Sequence, residues 1–174
     1  MTIEVIETIT PSGSSSSINF TSIPSTYDTL YFIGYMKSDG TTVWDPDEAY
    51  VRINGDSSAD SHQGCAILQI GTQIKAYNTS SASFPLRFGP ARGNTDYGAG
   101  AFWGVFPGYS QTTTYKTATF VGGCISNSTN AENTSGYAGL NFGSTAAVEA
   151  VNFVASSGNF YASSVITLYG IKNE

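Results

Sequence analysis

Thr29-Leu30-Tyr31-Phe32-Ile33-Gly34-Tyr35-Met36 is the stretch on which the fold turns. Side chains alternate across a β-strand with a period of two. Leu30, Phe32 and Met36 therefore fall on one face, and Tyr31, Ile33 and Tyr35 on the other. Both faces are apolar or amphipathic, which predicts a strand covered on both sides. The core covers one side; a loop or a neighbouring subunit covers the tyrosine side.

The segments around it follow the same grammar. Glu48-Ala49-Tyr50-Val51-Arg52-Ile53 alternates polar and apolar residues, with Ala49, Val51 and Ile53 on one face. It runs into Asn54-Gly55-Asp56, a turn signal in which glycine accepts a positive φ without a Cβ clash. Further strands are expected at 3–9, 17–21, 66–70, 73–77, 84–88, 99–106, 115–125, 137–142, 148–155 and 164–171. Clusters rich in Ser, Gly, Asn and Thr separate them, at 12–17, 57–61, 79–82 and 126–135. Ala146-Ala147-Val148-Glu149-Ala150 is the best helix window, but the β-branched and aromatic Val151-Asn152-Phe153-Val154 that follows favours strand. Many short strands punctuated by turns predict an all-β, antiparallel, jelly-roll-like β-sandwich rather than βαβ units. A single domain over 1–174 is expected, with 1–10 an edge strand or an arm that pairs with a neighbour.

Composition narrows the function classes. Only 11% of the chain is charged, against roughly 25% in an ordinary soluble domain. The net charge is −6 and the pI is near 4.5. Seven Lys and Arg residues cannot build a phosphate-tracking stripe, so no nucleic-acid partner is expected. No run of 18 apolar residues is present, so no membrane partner is expected either. Met1 to Ile6 lacks the basic-then-apolar pattern of a signal peptide. The two cysteines, Cys65 and Cys124, read as buried free thiols in preference to a disulfide.

Catalytic chemistry finds little material. His62 stands alone beside Asp60 and Ser61, with no Gly-x-Ser-x-Gly elbow in the chain, and reads as a solvated loop histidine. Asp45, Asp47 and Glu48, with Asp56 and Asp60 one strand later, are acidic turn residues whose spacing matches no calcium loop. Gly89-Pro90-Ala91-Arg92-Gly93-Asn94 lacks the Lys-Ser/Thr of a phosphate loop. No catalytic residue, cofactor or metal ligand is therefore assigned.

Aromatic residues are the abundant resource. Tyr97, Phe102, Trp103, Phe106, Tyr109 and Tyr115 crowd a glycine-rich stretch. Phe102 and Phe106 are expected in the core. Trp103 points to the opposite face, and with Tyr97 and Tyr109 could supply flat surfaces for a sugar ring or a protein partner. Tyr31 and Tyr35 complete the candidate interaction residues.

Three segments, in order and bracketing most of the chain, carry a resemblance. Ile18-Asn19-Phe20-Thr21-Ser22-Ile23-Pro24-Ser25-Thr26-Tyr27-Asp28-Thr29-Leu30 resembles the I-x-F-x-x-I-P-x-x-Y-x-x-L opening of small β-rich virion proteins of tailed bacteriophages. Arg52-Ile53-Asn54-Gly55-Asp56 is similar to the R-x-N-G-D strand and turn that follows it there. Ser164-Val165-Ile166-Thr167-Leu168-Tyr169-Gly170-Ile171 resembles their closing strand. The usual Arg-Phe before Asn-Gly-Asp is Arg-Ile here, and His62 stands near where a tyrosine is expected. The resemblance implies a non-enzymatic protein located in the virion, foremost a capsid decoration (cement) subunit. Its partners would be the major capsid protein or tail components, and the assembly a homo-oligomer, with a trimer on a capsid threefold fitting best. The alternative is a head-fibre or tail accessory module that binds a host glycan.

The opening motif also has a mechanical reading. Ile18 and Phe20 share a face, Pro24 holds Ile23 extended, and Tyr27 can plug the turn before the next strand.

Overall fold

The computed structural model describes residues 1–39, 49–86, 99–125 and 134–173. Among these, twelve strands form: β1 (Thr2–Ile9), β2 (Ser17–Phe20), β3 (Thr29–Met36), β4 (Ala49–Ile53), β5 (His62–Ile70), β6 (Gln73–Ser81), β7 (Phe84–Leu86), β8 (Ala99–Pro107), β9 (Lys116–Ile125), β10 (Thr134–Phe142), β11 (Val151–Ala155) and β12 (Val165–Lys172). They make an eight-stranded sheet, ordered β1-β12-β3-β8-β9-β10-β5-β6, and a four-stranded sheet, ordered β2-β11-β4-β7. Every pairing is antiparallel.

Setting aside the β9/β10 pair and the outer strands β1 and β12 reduces these orders to β2-β11-β4-β7 and β3-β8-β5-β6. That is the double Greek key of a jelly roll. The β9/β10 pair is spliced between β8 and β5, and β12 with β1 widens the same sheet beyond β3. The sequence expectation of an all-β sandwich of jelly-roll type holds, and the large sheet owes its breadth to these additions.

Alternation places the core between the sheets. Leu30, Phe32, Phe102, Phe120, Leu140 and Leu168 face inward from the large sheet, meeting Phe20, Val51, Ile53, Val151 and Phe153 from the small one. Phe32 sits edge-on to Phe20 and Phe153, with centroids 5.7 and 5.6 Å apart. Truncating a ring so placed, as in Phe153→Ala, typically costs about 3–5 kcal/mol. Phe102 and Phe106 are buried, as their strand parity requires.

Tyr27 behaves as the opening motif suggests. Its ring lies on Gly170 of β12, where an added Cβ would come within 2.4 Å of the ring, and its hydroxyl donates to the Glu4 carboxylate at 2.8 Å. The motif thus ties β1, β12 and the entry to β3 together.

Some boundaries differ from the sequence reading. β5 begins at His62 and β6 continues to Ser81, because the ladder extends through polar residues such as Gln63, Asn78 and Ser80. No helix forms at 145–150, and β11 starts only at Val151. Asn54 explains the delay: its Oδ1 accepts the Glu149 and Ala150 N–H groups at 2.8 and 3.0 Å, and its Nδ2 donates to the Ala147 carbonyl at 2.7 Å.

The expectation of two buried thiols is corrected by half. Cys124 is buried and free, whereas Cys65 is free but exposed, pointing away from the core on β5.

Candidate interaction surface

The outward residues of the large sheet align into rows by register. One row reads Thr167, Ile33, Trp103, Val121, Tyr137, Ile67 and Ala76, crossing seven strands. On one side of it run Tyr169, Tyr31, Val105, Thr119, Gly139 and Cys65, and on the other Val165, Tyr35, Ala101, Gly123, Ser135 and Gln69. None of these side chains is charged. Glu4 and Glu7 on β1 and Lys75 on β6 lie opposite Gly170, Leu168 and Leu68, which turns them to the other side of the sheet.

Large apolar side chains concentrate here. Among the described residues, ten large hydrophobic residues are exposed, and eight of them lie on this face: Ile3, Val5, Ile33, Tyr35, Ile67, Ile74, Trp103 and Tyr137. Met1 and Tyr115 are the others. Trp103 is 41% exposed and Tyr137 64%.

Two features divide the face. Tyr31 bridges Trp103 and Tyr169, with centroids 6.3 and 6.0 Å apart, and with Ile33 and Tyr35 forms an aromatic and aliphatic cluster over β3, β8 and β12. Over β9, β10, β5 and β6 lies an open hollow of about 370 Å³, lined by Ile67, Gln69, Ile74, Val121, Ser135 and Tyr137.

The outer face of the small sheet is mixed. Arg52, Asn152 and Asn19 lie in one row. Asn152 donates to Asn19 at 2.9 Å, and Asn19 donates to Ser17 at 2.8 Å. The next row is Ser17, Val154, Tyr50 and Pro85. None of the exposed large hydrophobic residues among those described lies on this face.

The expected interaction residues separate on this geometry. Tyr31, Tyr35 and Trp103 share the apolar face, Tyr31 half-buried and the other two exposed. Tyr109 is corrected: it is fully buried, and its hydroxyl donates to the Pro24 carbonyl. Gly108, at φ 58°, ends the alternation of β8 and turns Tyr109 back into the core. Tyr97 lies outside the described residues. Ile67, Ile74 and Tyr137 belong to the face but went unnoticed in the sequence, because only register brings them beside Trp103.

His62 is also corrected. It is buried at the start of β5 against Phe142, with ring centroids 5.0 Å apart. Its Nε2 accepts the Ile53 N–H at 3.0 Å, so Nδ1 carries the proton and donates to the Ser61 hydroxyl at 2.7 Å. Burial pushes its pKa down to about 4, against a smaller opposing pull from Asp56. Both nitrogens are engaged and the ring is neutral. Asp60 accepts instead from the Ser80 hydroxyl at 2.7 Å, and Asp56 from the Ser58 N–H at 2.8 Å.

Lys116, which the strand pattern did not single out, is buried. Its ammonium donates to the Thr114 and Thr145 carbonyls at 2.6 and 3.1 Å, and burial lowers its pKa. It fastens the start of β9 to the 143–150 segment. Asp45, Asp47 and Glu48 lie outside the described residues, and among the described residues no three His, Cys, Asp or Glu side chains gather to hold a metal.

No family model matches the chain, and no curated protein matches it. Solved structures give low similarity. The binding domain of botulinum neurotoxin DC, in complex with SialylT, aligns at 9% identity and a TM-score of 0.25 over 99% of this chain and 44% of that one. A protein of unknown function from Shewanella oneidensis aligns at 9% identity and a TM-score of 0.21 over 97% and 75%. The infectious bursal disease virus VP2 subviral particle aligns at 13% identity and a TM-score of 0.20 over 97% and 42%. The chain therefore spans less than half the length of the first and third of these.

Proposed function

We propose that this chain is a non-enzymatic structural protein of a bacteriophage virion, a capsid decoration subunit that acts through surface contact. The observation that carries the reading is the outer face of the eight-stranded sheet, where eight of the ten large hydrophobic residues exposed among those described collect among uncharged neighbours. Exposed apolar patches of this extent mark interaction sites. The phage setting rests on the resemblance of the three motif segments, each of which also has a packing task in the sandwich: Tyr27 on Gly170, Asn54 at the 147–150 segment, and β12 between β1 and β3.

Mass spectrometry of purified source particles tests this reading. The expected result is the chain in fixed copy number relative to the major capsid protein or a tail component. Its absence from intact particles would overturn the proposal.

A second reading, a glycan-binding accessory module, draws on Tyr31 and Trp103, whose rings are inclined by only 30° and could together floor a sugar site. Binding on a host-glycan array that disappears with Trp103→Ala would favour it over decoration.

A further inference from the structure

The outer face of the large sheet has the dimensions of a protein interface. Seven inter-strand gaps of about 4.8 Å and three outward rows about 6.8 Å apart give roughly 700 Å². A standard stable interface takes about 800 Å² from each partner. The face carries the Tyr31–Trp103 cluster and the hollow side by side, the cluster centred between β3 and β8 and the hollow near β10 and β5. About three strand spacings, some 14 Å, separate them.

We propose that a second copy of this chain covers this face, the aromatic cluster of one copy lying over the hollow of the other. An axis running along β9, midway between the two features, lays each cluster over the partner's hollow and makes the contact twice. An isologous interface pairs each feature of a surface with another feature of the same surface in this way. Strands of the two sheets then run nearly aligned, the arrangement in which twisted sheets pack face to face. Charge selects the partner. A copy of this chain brings a net charge of −6 and can approach closely only over surface that holds none of it. A partner recognised by its own charge would find nothing to pair with on these rows. The inference names the partner of the surface on which the virion reading rests, but association is measured on the purified chain and attachment on particles, so each can fail alone.

Sedimentation of the full chain over a dilution series tests it. The expected result is a self-associated species that dissociates on dilution. Ile33→Asp in the cluster and Ser135→Arg in the hollow should each move the midpoint about 100-fold or more toward high concentration, because each buries an unpaired charge. Thr112→Asp, on an exposed loop away from the face, should leave it unchanged. Circular dichroism checks that the variants fold. Independently of any variant, alkylation of Cys65, which is exposed on the same face, should slow as the concentration rises through the midpoint. A dimer sensitive to both variants supports the proposal. A chain that stays monomeric, a closed ring of three or more copies, an oligomer indifferent to both variants, or a Cys65 rate independent of concentration overturns it. Glycan binding by a chain monomeric at every concentration would assign the face to a sugar instead.

Discussion

Lowering the pH from 7 to 4.5 should destabilise the folded chain through His62. The buried ring has a pKa pushed down to about 4, against 6.5 for the free side chain. Between these values the unfolded state binds a proton that the folded state refuses, so stability falls as the pH drops through the interval and levels off below about 4. At 1.36 kcal/mol per pKa unit the whole interval is worth up to about 3 kcal/mol, and the step from pH 7 to 4.5 about 2 kcal/mol. For a chain of this length that is a fall in Tm of about 4–8 °C. Carboxylates also begin to titrate below pH 5, and the hydrogen bonds from Ser58 hold Asp56 below its usual range, so the raw slope is not His62 alone. His62→Gln separates them. Its amide oxygen can still accept the Ile53 N–H, but nothing at that position gains a proton. Urea unfolding at pH 7, 5.5 and 4.5 should show a shallower pH slope in the variant by about 2 kcal/mol over the range. Equal slopes, or a His62 titration near 6.5 followed by NMR in the folded protein, would refute the buried, neutral assignment.

Other outcomes follow from the same packing. Gly170→Ala should cost about 1–3 kcal/mol, because its methyl would meet the Tyr27 ring at 2.4 Å; denaturant melts of Gly170→Ala in a Tyr27→Ala background should show most of that cost gone, whereas an additive double mutant would place the strain elsewhere. Deleting the last ten residues removes β12, which lies between β1 and β3, and should abolish soluble folding; a truncated chain with a cooperative melt would contradict this. Cys124, its thiol pushed up to about 11 by burial, should resist alkylation until the chain unfolds, while Cys65 in dilute protein reacts at once. Mass spectrometry of labelled native protein reads both.

The fold is most legible in the sequence where alternation is unbroken. In β3 and β12, every second residue from Leu30 to Met36 and from Ile166 to Gly170 reaches the core, so the residue pattern alone distinguishes the two faces. His62 escapes the pattern because β5 alternates His62, Gly64, Ala66 and Leu68 inward, and the glycine interrupts the apolar signal that would have drawn the strand back to the histidine. Tyr109 escapes it because its parity is reset at Gly108. Ile18-Asn19-Phe20 and Val151-Asn152-Phe153 look like a repeat in the sequence. They are antiparallel neighbours, with Asn19 opposite Asn152 and bonded to it, so they share one environment. Half of the contact face lies beyond sequence reading altogether. Tyr137, Ile67 and Ile74 sit on strands whose order in the sheet no local pattern encodes.

Low charge by itself is a weak argument for an interface. Seven cationic and thirteen anionic side chains spread over 8363 Å² amount to about one per 400 Å². A face of roughly 700 Å² would then hold only one or two charges, and a bare one could arise by dilution alone. Dilution does not explain where the apolar residues went. Asn19, Asn152 and Ser17 on the small sheet show that this chain can fill outward positions with side chains that bond to one another. On the large sheet outward positions hold Trp103, Ile33, Ile67 and Tyr137. Full burial of such a side chain is worth about 1.5–3 kcal/mol, and each of these four, roughly half exposed, forgoes about half of that. Four of them retained on one face, where polar residues would fold as well, point to a surface shaped for contact rather than for solvent. The aromatic cluster and the hollow give that contact a geometry, and disrupting each separately decides whether a second copy is what meets it.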